Sequence, residues 1–538
     1  MVETIGGRAA PMRTLDEAVA QGRLCPSPTP RPEGRRLVVV VHGWRRTPEA
    51  YKGLLRSFRD DPRLADCDLL PWAYRAGRLS NTNPTGVAQG LATEIDRLDR
   101  ENDYREIFLV GHSMGGVIVR AALLDGIERD LAWAAPGKRK VRRLVLLAST
   151  NRGFDVPRFL GPAVFVIRHL PFPVASFALS MLRGSWFVTG VRLRWLRRFC
   201  GTEPPETVQI LGTRDPVVGP DDSADVFRYA NSALVPVDAD HISILPSGPD
   251  DPTYPYVVDA LLGPMSAKHR PRQPAPRSRV VFLIHGIRDY GPWLDDLREA
   301  VLRLDPEAEV LPIRYGYFKL INFLAPSLRA GKVRDFVDRY VQELAKRPDV
   351  PFAAAGHSNG TFIIATAVKD VPGVEFERVY LAGSVLPDDF AWDALIGGKV
   401  AQVRNDTARS DWVVALICGT LSWLAPYRDL GIGGFAGFQR LPPGSESRYL
   451  PGDHGAALTK DNLSSIAAFL VHGRPGALTG LPTSLPTWLD RGSRGLFWIL
   501  LVALVAIVGL LFVVGLTPAI LWTGAILAVV AVVFLIAY

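Results

Sequence analysis

Cysteine is scarce in this 538-residue chain, and its four cysteines lack the paired spacing of a disulfide framework or a zinc site. Cys25, Cys67, Cys200 and Cys418 are therefore expected to be reduced thiols, as in proteins that face the cytoplasm. Clusters of histidine, cysteine and carboxylate at metal-ligand spacing are also missing, and so is a phosphate-binding loop. We therefore predict that the protein uses no metal ion and no cofactor.

A charged stretch followed by a short apolar run, the pattern of a cleavable signal peptide, is absent from the beginning of the chain. The formal net charge of +8 could suggest a nucleic-acid partner. Its basic residues are mostly dispersed arginines, however, and no nucleic-acid-binding module is recognisable. We therefore expect no nucleic-acid partner. A positively charged protein beside an anionic lipid leaflet is the simpler explanation of the net charge.

Long apolar runs are confined to the C-terminal end. Residues 496–516 and 519–537 are uncharged runs of 21 and 19 residues, and each can cross a hydrocarbon core of about 30 Å as a helix. Thr517–Pro518 between them suits a helix stop and restart. Because Arg491 and Arg494 precede the first run, the positive-inside tendency predicts that the preceding domains are cytoplasmic. A re-entrant hairpin is the alternative to two full spans.

Proline-rich and polar stretches divide the rest of the chain. The predicted order is a Pro-rich lead, a first domain, a linker, a second domain, a juxtamembrane linker and a transmembrane hairpin, at 1–34, 35–263, 264–278, 279–472, 473–494 and 495–538. Each domain is long enough for its own core. Residues 25–32 of the lead are expected to be extended or disordered, because proline cannot donate to a strand ladder.

The string Gly-X-Ser-X-Gly occurs twice, each time after a short apolar run. It places Ser113 within Gly111–Gly115 and Ser358 within Gly356–Gly360. A serine between two glycines at a strand-to-helix turn forms a nucleophile elbow, in which only small neighbours fit and the hydroxyl stands above the sheet. The sequence therefore predicts two nucleophilic serines.

Other signals also recur in the same order in both halves. A His-Gly pair ends an earlier apolar run, at His42–Gly43 and at His285–Gly286, 71 and 73 residues before the serine of its half. Apolar runs that end in small residues, 141–149 and 376–384, follow the two elbows and are typical of buried parallel strands. This repetition predicts a diverged tandem duplication.

A hydrolytic serine needs a base to take its proton and an acid to orient that base. In the first half, Asp215 lies on the loop after a predicted strand at 207–211, and His241 lies on the next strand-end loop. We predict that they are the acid and the base, although Asp215 could instead cap a turn or helix. Three further aspartates compete for the acid position: Asp221, Asp222 and Asp225.

The second half repeats this pattern with an ambiguous acid. Asp411 shares the Asp-X-Val-Val pattern of Asp215, whereas Asp406 lies closer to the end of its strand. We favour Asp411, although either aspartate could simply cap the apolar helix that follows. His454, in a loop before the last helix of this half, is the predicted base.

The ordered motifs resemble the α/β-hydrolase superfamily in its lipase and esterase branch. They are His-Gly-Trp, Gly-His-Ser-Met-Gly-Gly, Gly-Thr-Arg-Asp and Asp-His-Ile in the first copy. The resemblance covers about residues 35–263 and again 279–472. It implies an α/β fold class with two tandem α/β-hydrolase domains, each a mostly parallel central sheet flanked by helices, followed by two transmembrane helices. The second copy departs from the pattern with Asn359 after its serine.

The resemblance also implies an oxyanion hole made of two backbone N–H groups in each copy. These belong to Trp44 and Met114 in the first copy and to Ile287 and Asn359 in the second. The neighbouring histidines are expected to hold the local shape through hydrogen bonds rather than to transfer protons: His42, His112, His285 and His357.

A family member carries its cap at the position of residues 156–198. This segment is apolar with interspersed arginines, which suits a lipid interface or an acyl-chain pocket. A cap that packs down on the core without touching a membrane is the equal alternative.

The sequence thus predicts a membrane-anchored serine hydrolase that cleaves carboxylic esters of lipids or acyl chains through an acyl-enzyme. One alternative is an acyltransferase that passes the acyl group to an alcohol or thiol. The other is an inactive hydrolase-fold scaffold that binds partners or lipids, against which the two intact serines argue. The pattern fixes neither the acyl length nor the oligomeric state.

Overall fold

Two compact units make up the chain, Met1–Ala275 with Val337–Pro348 and Pro276–Phe336 with Asp349–Tyr538. The computed structural model describes residues 14–29, 34–77, 79–135, 140–154, 175–218, 231–265, 275–287, 292–314, 323, 325–395, 398–408, 410–422, 427–441 and 443–473.

The first unit contains a six-stranded sheet in which all neighbouring strands are parallel. Its strand order is β2-β1-β3-β4-β5-β6. The strands are β1 (Arg36–Val41), β2 (Cys67–Trp72), β3 (Glu106–His112), β4 (Val141–Leu147), β5 (Glu206–Gly212) and β6 (Ser232–Val237).

Helices cover both faces of this sheet. They are α1 (Leu15–Gln21), α2 (Lys52–Asp60), α3 (Pro84–Asn102), α4 (Met114–Glu128), α5 (Ser176–Ser180), α6 (Trp186–Arg198) and α7 (Tyr254–Leu262). In β1, Leu37 and Val39 pack into the core beneath α3, α4 and α6, whereas Val38 and Val40 pack beneath α1, α2 and α7. Because strand side chains alternate between faces, a sheet buried on both sides needs such a continuous apolar run.

The second unit contains another six-stranded parallel sheet, in the order β12-β11-β10-β9-β7-β8. Its strands are β7 (Val280–Ile284), β8 (Glu309–Ile313), β9 (Phe352–His357), β10 (Phe376–Ala382), β11 (Val400–Ala408) and β12 (Glu446–Leu450). Numbered from its own first strand, this sheet has the same strand order as the sheet of the first unit. The chain therefore carries two parallel-sheet α/β domains.

The helices of the second unit begin with two long ones after its first two strands. They are α8 (Pro292–Leu304), α9 (Pro326–Lys346), α10 (Asn359–Asp370), α11 (Gly419–Leu421), α12 (Gly433–Ala436) and α13 (Lys460–His472), with a π-helical turn at Val413–Cys418. The part of α9 from Val337 onward belongs to the first unit. Helices α8 and α13 share one apolar cluster with the strands β7 and β9.

The described part of the N-terminal lead, residues 14–29, forms a helix and then pairs with a strand at Cys25, although the prolines predicted no strand pairing there. Thr14 and Glu17 form a capping box that starts α1. Further on, Cys25 exchanges two backbone hydrogen bonds with Leu69 of the edge strand β2, at 2.8 and 3.0 Å. The lead therefore covers a strand edge that would otherwise expose unpaired backbone groups.

The predicted hairpin at 495–538 and residues 156–174 of the predicted cap lie outside the described residues, as do Asp221, Asp222 and Asp225. Within the part of the chain that is described, no helix combines the length and the apolar character needed to cross a bilayer.

Candidate active sites

Both predicted elbows form sharp strand-to-helix turns with a strained serine backbone. Ser113 joins β3 to α4 with φ 53° and ψ −125°, and Ser358 joins β9 to α10 with φ 52° and ψ −121°. A positive φ is unfavourable for residues other than glycine, and such strain persists only where the surrounding structure enforces it. The backbone N–H of each serine is held by the neighbouring strand, donating to Leu147 at 2.9 Å and to Ala382 at 3.0 Å.

The glycine two positions after each serine is required by close packing. A Cβ added to Gly115 would lie 2.2 Å from the carbonyl oxygen of Val41, and one added to Gly360 would lie 2.3 Å from that of Ile284. In each unit the helix therefore begins directly against the end of the first strand, where no side chain fits.

In the first unit the structure brings Ser113, Asp215 and His241 together. These residues follow β3, β5 and β6, and the carboxyl ends of parallel strands meet at one edge of the sheet. The Nε2 of His241 lies 3.0 Å from Ser113 Oγ, and its Nδ1 lies 2.8 Å from Asp215 Oδ2. A neutral imidazole in this position donates from Nδ1 and accepts the serine proton at Nε2.

Asp215 is placed to remain ionised. Burial raises the pKa of its carboxyl, but the hydrogen bonds from His241 and from the backbone N–H groups of Val217 and Val218 outweigh burial and hold the pKa below its usual value. An ionised Asp215 fixes the His241 tautomer and stabilises the imidazolium that forms when serine is deprotonated.

Two backbone N–H groups are available beside Ser113. A Cβ added to Gly43 would lie 2.8 Å from the Cβ of Ser113, so the loop that carries Trp44 passes directly beside the serine. Within the described structure, the N–H groups of Trp44 and Met114 donate no hydrogen bond. Unpaired donors at this point suit an oxygen that acquires negative charge during the reaction.

A buried hydrogen-bond chain connects the first strand to the His241 loop. The Gly43 N–H donates to the hydroxyl of Tyr51 at 3.1 Å, and that hydroxyl lies 3.0 Å from Nδ1 of His112. The Nε2 of His112 in turn lies 2.9 Å from the carbonyl oxygen of His241. A shape-holding role for His112 was expected from the sequence, whereas no motif pointed to Tyr51, which lies in a 3-10 turn 61 residues before His112.

His112 is neutral in this environment. Burial and the neighbouring His241 lower the pKa of His112 to about 3, and the positive charge of Arg46 acts in the same direction. A neutral imidazole can accept from Tyr51 at Nδ1 while it donates from Nε2 to the His241 carbonyl.

The end of the first strand is held by a second histidine. His42 stacks on Tyr74 with ring centroids 4.2 Å apart, and the hydroxyl of Tyr74 donates to the His42 carbonyl at 2.6 Å. The Nδ1 of His42 lies 3.0 Å from the carbonyl oxygen of Gly43. Burial lowers the pKa of His42, so this ring also packs as a neutral group.

The second unit brings an acid and a base together but does not connect them to the serine. Nδ1 of His454 lies 2.8 Å from Asp411 Oδ2, and Asp411 Oδ1 accepts the backbone N–H of Val414 at 3.0 Å. Between His454 and Ser358, both of which are described, there is no hydrogen bond. Ile287 and Asn359 stand next to the His-Gly pair and the serine, as in the first copy.

Asp406, the alternative acid, is bound elsewhere. Its carboxylate is fully buried and is contacted by Arg404 at 3.0 Å and by Arg448 at 2.7 Å. Tyr380 and Asn462 donate to the same carboxylate. Asp411 is thus the aspartate that faces His454, and Asp406 lies in a buried charged cluster of the sheet.

The described half of the predicted cap packs on the core of the first unit. Val191 and Trp195 of α6 belong to the apolar cluster beneath the sheet. Arg192 is 1% exposed and contacts Asp338 of the same unit at 2.6 Å, and Arg194 contacts Glu128 at 2.7 Å. These arginines are engaged in ion pairs, so in residues 175–198 the structure matches the packed cap rather than a lipid-facing surface.

A comparison with protein families finds a match over residues 38–282, to the alpha/beta hydrolase family. The match spans less than half of the chain and includes all three residues that meet at the first site. No curated protein matches the sequence.

Several solved structures are similar to the chain. The Bacillus licheniformis lipase BlEst2 has 15% identity over 44% of this chain and 95% of its own, with a TM-score of 0.30. The Pyrococcus furiosus esterase Pf2001 has 16% identity over 43% of this chain and 83% of its own, with a TM-score of 0.29. The Legionella pneumophila phospholipase PlaB has 18% identity over 33% of this chain and 39% of its own, with a TM-score of 0.25.

The resemblance drawn from the motifs is therefore confirmed for one part of the chain. Residues 38–282, which hold Ser113, Asp215 and His241, match the alpha/beta hydrolase family.

Proposed function

We propose that the protein is a serine hydrolase that cleaves carboxylic esters at Ser113. The observation that carries this proposal is the continuous path from Asp215 through His241 to Ser113, with separations of 2.8 and 3.0 Å. The family match over the same residues supports it. Acyl transfer to serine requires a base next to the serine hydroxyl and an acid that orients this base, and the two contacts support these roles for His241 and Asp215.

The reaction follows from this geometry. Ser113 Oγ attacks the ester carbonyl carbon while His241 Nε2 takes its proton, and Asp215 stabilises the imidazolium. The N–H groups of Trp44 and Met114 bind the resulting oxyanion. Collapse of the tetrahedral intermediate breaks the bond to the alcohol oxygen, which leaves with the proton from His241. Water then attacks the acyl-enzyme in the same way and releases the acid.

Ser358, Asp411 and His454 form a second site of lower activity in this proposal, with Ile287 and Asn359 as its oxyanion donors. The Asp411–His454 contact of 2.8 Å supports its assignment. The missing contact between His454 and Ser358 leaves the serine without its base. Serine–histidine contacts are often loose without substrate, so some turnover at this site is compatible with the structure.

We also propose that the hairpin at 495–538 anchors the chain in a membrane with both domains on the cytoplasmic side. Its two uncharged apolar runs and the arginines before them support this placement. The natural substrates are then esters of lipids or acyl chains. The equal strand order of the two sheets supports a tandem duplication as their origin.

Labelling with a fluorophosphonate tests the proposed chemistry, because this probe reacts with a serine only when a base activates it. The full chain should be labelled predominantly at Ser113, and labelling of Ser113→Ala should be weak and confined to Ser358. The double variant Ser113→Ala/Ser358→Ala is the control and should take up no label. A folded wild-type chain that stays unlabelled would exclude serine hydrolysis, and the inactive hydrolase-fold scaffold would be the remaining interpretation.

A further inference from the structure

An open cavity of about 940 Å³ lies at the end of the first two strands of the first unit. Its wall is formed by the loop after β1 and the loop after β2, which are tied together by a 2.8 Å hydrogen bond from the Arg45 N–H to the carbonyl oxygen of Ala76. The lining residues are Arg45, Arg46, Thr47, Tyr74, Arg75, Ala76, Gly77, Leu79, Ser80, Asn81 and Thr82.

The cavity wall is positively charged. Three of its lining residues are arginines and none is acidic. No described aspartate or glutamate pairs with Arg45, Arg46 or Arg75, although most exposed arginines of this unit, such as Arg56 and Arg97, have an acidic partner. Three unpaired guanidinium groups around one concave surface attract an anion and present planar donor pairs to it.

The backbone at Arg45 supports a built wall. Arg45 has φ 59°, a conformation that is unfavourable for a residue with a side chain. The guanidinium lies over the ring of Trp44, 5.8 Å from its centroid. A strained residue that is fixed by a backbone hydrogen bond and by an aromatic contact has a defined position, as a binding residue requires.

The cavity borders the first active site. Arg45 is two residues after Gly43, so their Cα atoms are at most about 7.6 Å apart, and a Cβ on Gly43 would lie 2.8 Å from that of Ser113. Tyr74 belongs to both regions, because it lines the cavity and also stacks on His42. Trp44, the predicted oxyanion donor, directly precedes Arg45 in the sequence.

We propose that this cavity binds the anionic group of the ester that Ser113 cleaves, a carboxylate or phosphate held by Arg45, Arg46 and Arg75. The inference rests on the proposed function of Ser113 and specifies its substrate class. The same anion chemistry is offered by the head group of an acidic phospholipid and by a soluble ester with a free carboxylate. The hydroxyl group of Thr47 lies on the same wall, and the Ser80 hydroxyl donates to the carbonyl oxygen of Arg75 at 3.0 Å, which holds the backbone of that arginine.

The first test compares an anionic with a neutral ester. The triple variant Arg45→Gln/Arg46→Gln/Arg75→Gln of the full chain, in neutral detergent, should lose about tenfold or more in kcat/KM on mono-p-nitrophenyl glutarate, the effect of charge-assisted hydrogen bonds. On p-nitrophenyl butyrate it should change by less than about twofold. The matched control, Arg56→Gln/Arg97→Gln/Arg129→Gln, removes three exposed arginines outside the cavity wall. It should leave kcat/KM unchanged on both the glutarate ester and the butyrate ester.

A second arm identifies the source of the anion. Mixed micelles of phosphatidylglycerol or phosphatidylcholine are compared with the soluble esters. If the cavity triple variant loses a preference for phosphatidylglycerol, the site takes a lipid head group. If it loses only the glutarate ester preference, the site takes a soluble anion. Either result supports the anion site, whereas equal losses on anionic and neutral substrates, or the same loss in the control triple variant, overturn it.

A binding measurement separates this inference from the proposed function. Calorimetric titration of the full-length Ser113→Ala protein with glutarate, and with inorganic phosphate, should show binding that disappears when the three cavity arginines are also replaced. If Ser113-dependent ester cleavage is absent but this binding is present, the proposed function fails and the anion site stands. If cleavage is present and neither anion binds through the arginines, the inference fails and the proposed function stands.

Discussion

Tyr51 shows how a single residue outside the catalytic set can position its base. Its hydroxyl connects the Gly43 N–H to His112, and His112 holds the carbonyl of His241. These hydrogen bonds therefore connect the loop of Trp44, the proposed oxyanion donor, to the loop of His241, the proposed base. Catalytic groups need such supporting contacts, because small displacements from the reactive geometry cost large factors in rate.

We predict that Tyr51→Phe lowers kcat on a soluble ester by about tenfold with little change in KM, because the imidazole of His112 loses its hydrogen-bond donor. The control is Tyr254→Phe, which removes another buried hydroxyl of the same unit, bonded to Ser57 and Asp61. Steady-state kinetics of both variants, with thermal unfolding to compare their stabilities, check this. Equal kcat values for the two variants would leave Tyr51 with a purely structural role.

The two candidate aspartates of the second unit should respond to substitution in opposite ways. Asp406→Ala leaves Arg404 and Arg448 buried without their carboxylate, so we predict a loss of about 3–5 kcal/mol in the free energy of unfolding. Asp411→Ala should cost much less stability and should abolish the labelling of Ser358. Denaturant unfolding and fluorophosphonate labelling of the Ser113→Ala background measure the two effects. A stable Asp406→Ala protein that no longer labels Ser358 would reverse the assignment.

At the scale of the element, the strand-to-helix turn is the most predictable part of the structure. The run of β-branched residues in β1 and the glycines around Ser113 are local signals, and each specifies backbone geometry directly. The order of acid and histidine along the chain placed Asp215 and His241 at the same sheet edge, because parallel strands end together.

Long-range contacts were beyond the reach of the sequence pattern. The docking of Cys25 on β2 depends on which strand is at the sheet edge, and no local signal encodes this. The position of the His454 ring depends on packing against a distant glycine, since a Cβ on Gly383 would lie 2.8 Å from its Cε1. The ion pairs of Arg192 and Arg194 likewise depend on partners far along the chain.

The elbow itself can be tested by a pair of glycine substitutions. Gly115→Ala should disrupt the turn and remove most Ser113 labelling, because the new Cβ would meet the Val41 carbonyl at 2.2 Å. Gly86→Ala in α3 is the control, because its Cβ meets no atom within 4 Å and alanine favours a helix by about 1 kcal/mol. Unfolding curves measure the stability of each variant, and fluorophosphonate labelling measures the reactivity of Ser113. Normal labelling of a stable Gly115→Ala protein would disprove the tight turn.

At the scale of the whole molecule, the chain carries two sheets with the same strand order and two serines in the same strained turn. Ser113 is hydrogen-bonded to its histidine, whereas the described structure has no hydrogen bond between Ser358 and His454. The proposal therefore assigns chemistry mainly to the first unit, and it assigns attachment to the apolar end of the chain, which carries no ionisable group in its two runs.

Truncation after Leu489 tests the division between chemistry and attachment. We expect the shortened chain to move from the membrane to the soluble fraction, because both apolar runs are removed. Its cleavage of a soluble short-chain ester should remain within about twofold of the full chain, as no residue of the first site is lost. Cell fractionation and ester kinetics measure both outcomes. A folded but inactive truncated chain would contradict the anchor role.

The most direct test of the central claim is a kinetic comparison of the full chain with Ser113→Ala, His241→Ala, Ser358→Ala and the double variant Ser113→Ala/His241→Ala on p-nitrophenyl butyrate. Members of one triad act as a unit, so their losses do not add. The proposal predicts that Ser113→Ala and His241→Ala each remove most of kcat, that the double variant is no worse, and that Ser358→Ala loses less. Activity that survives Ser113→Ala but disappears in Ser358→Ala would contradict it.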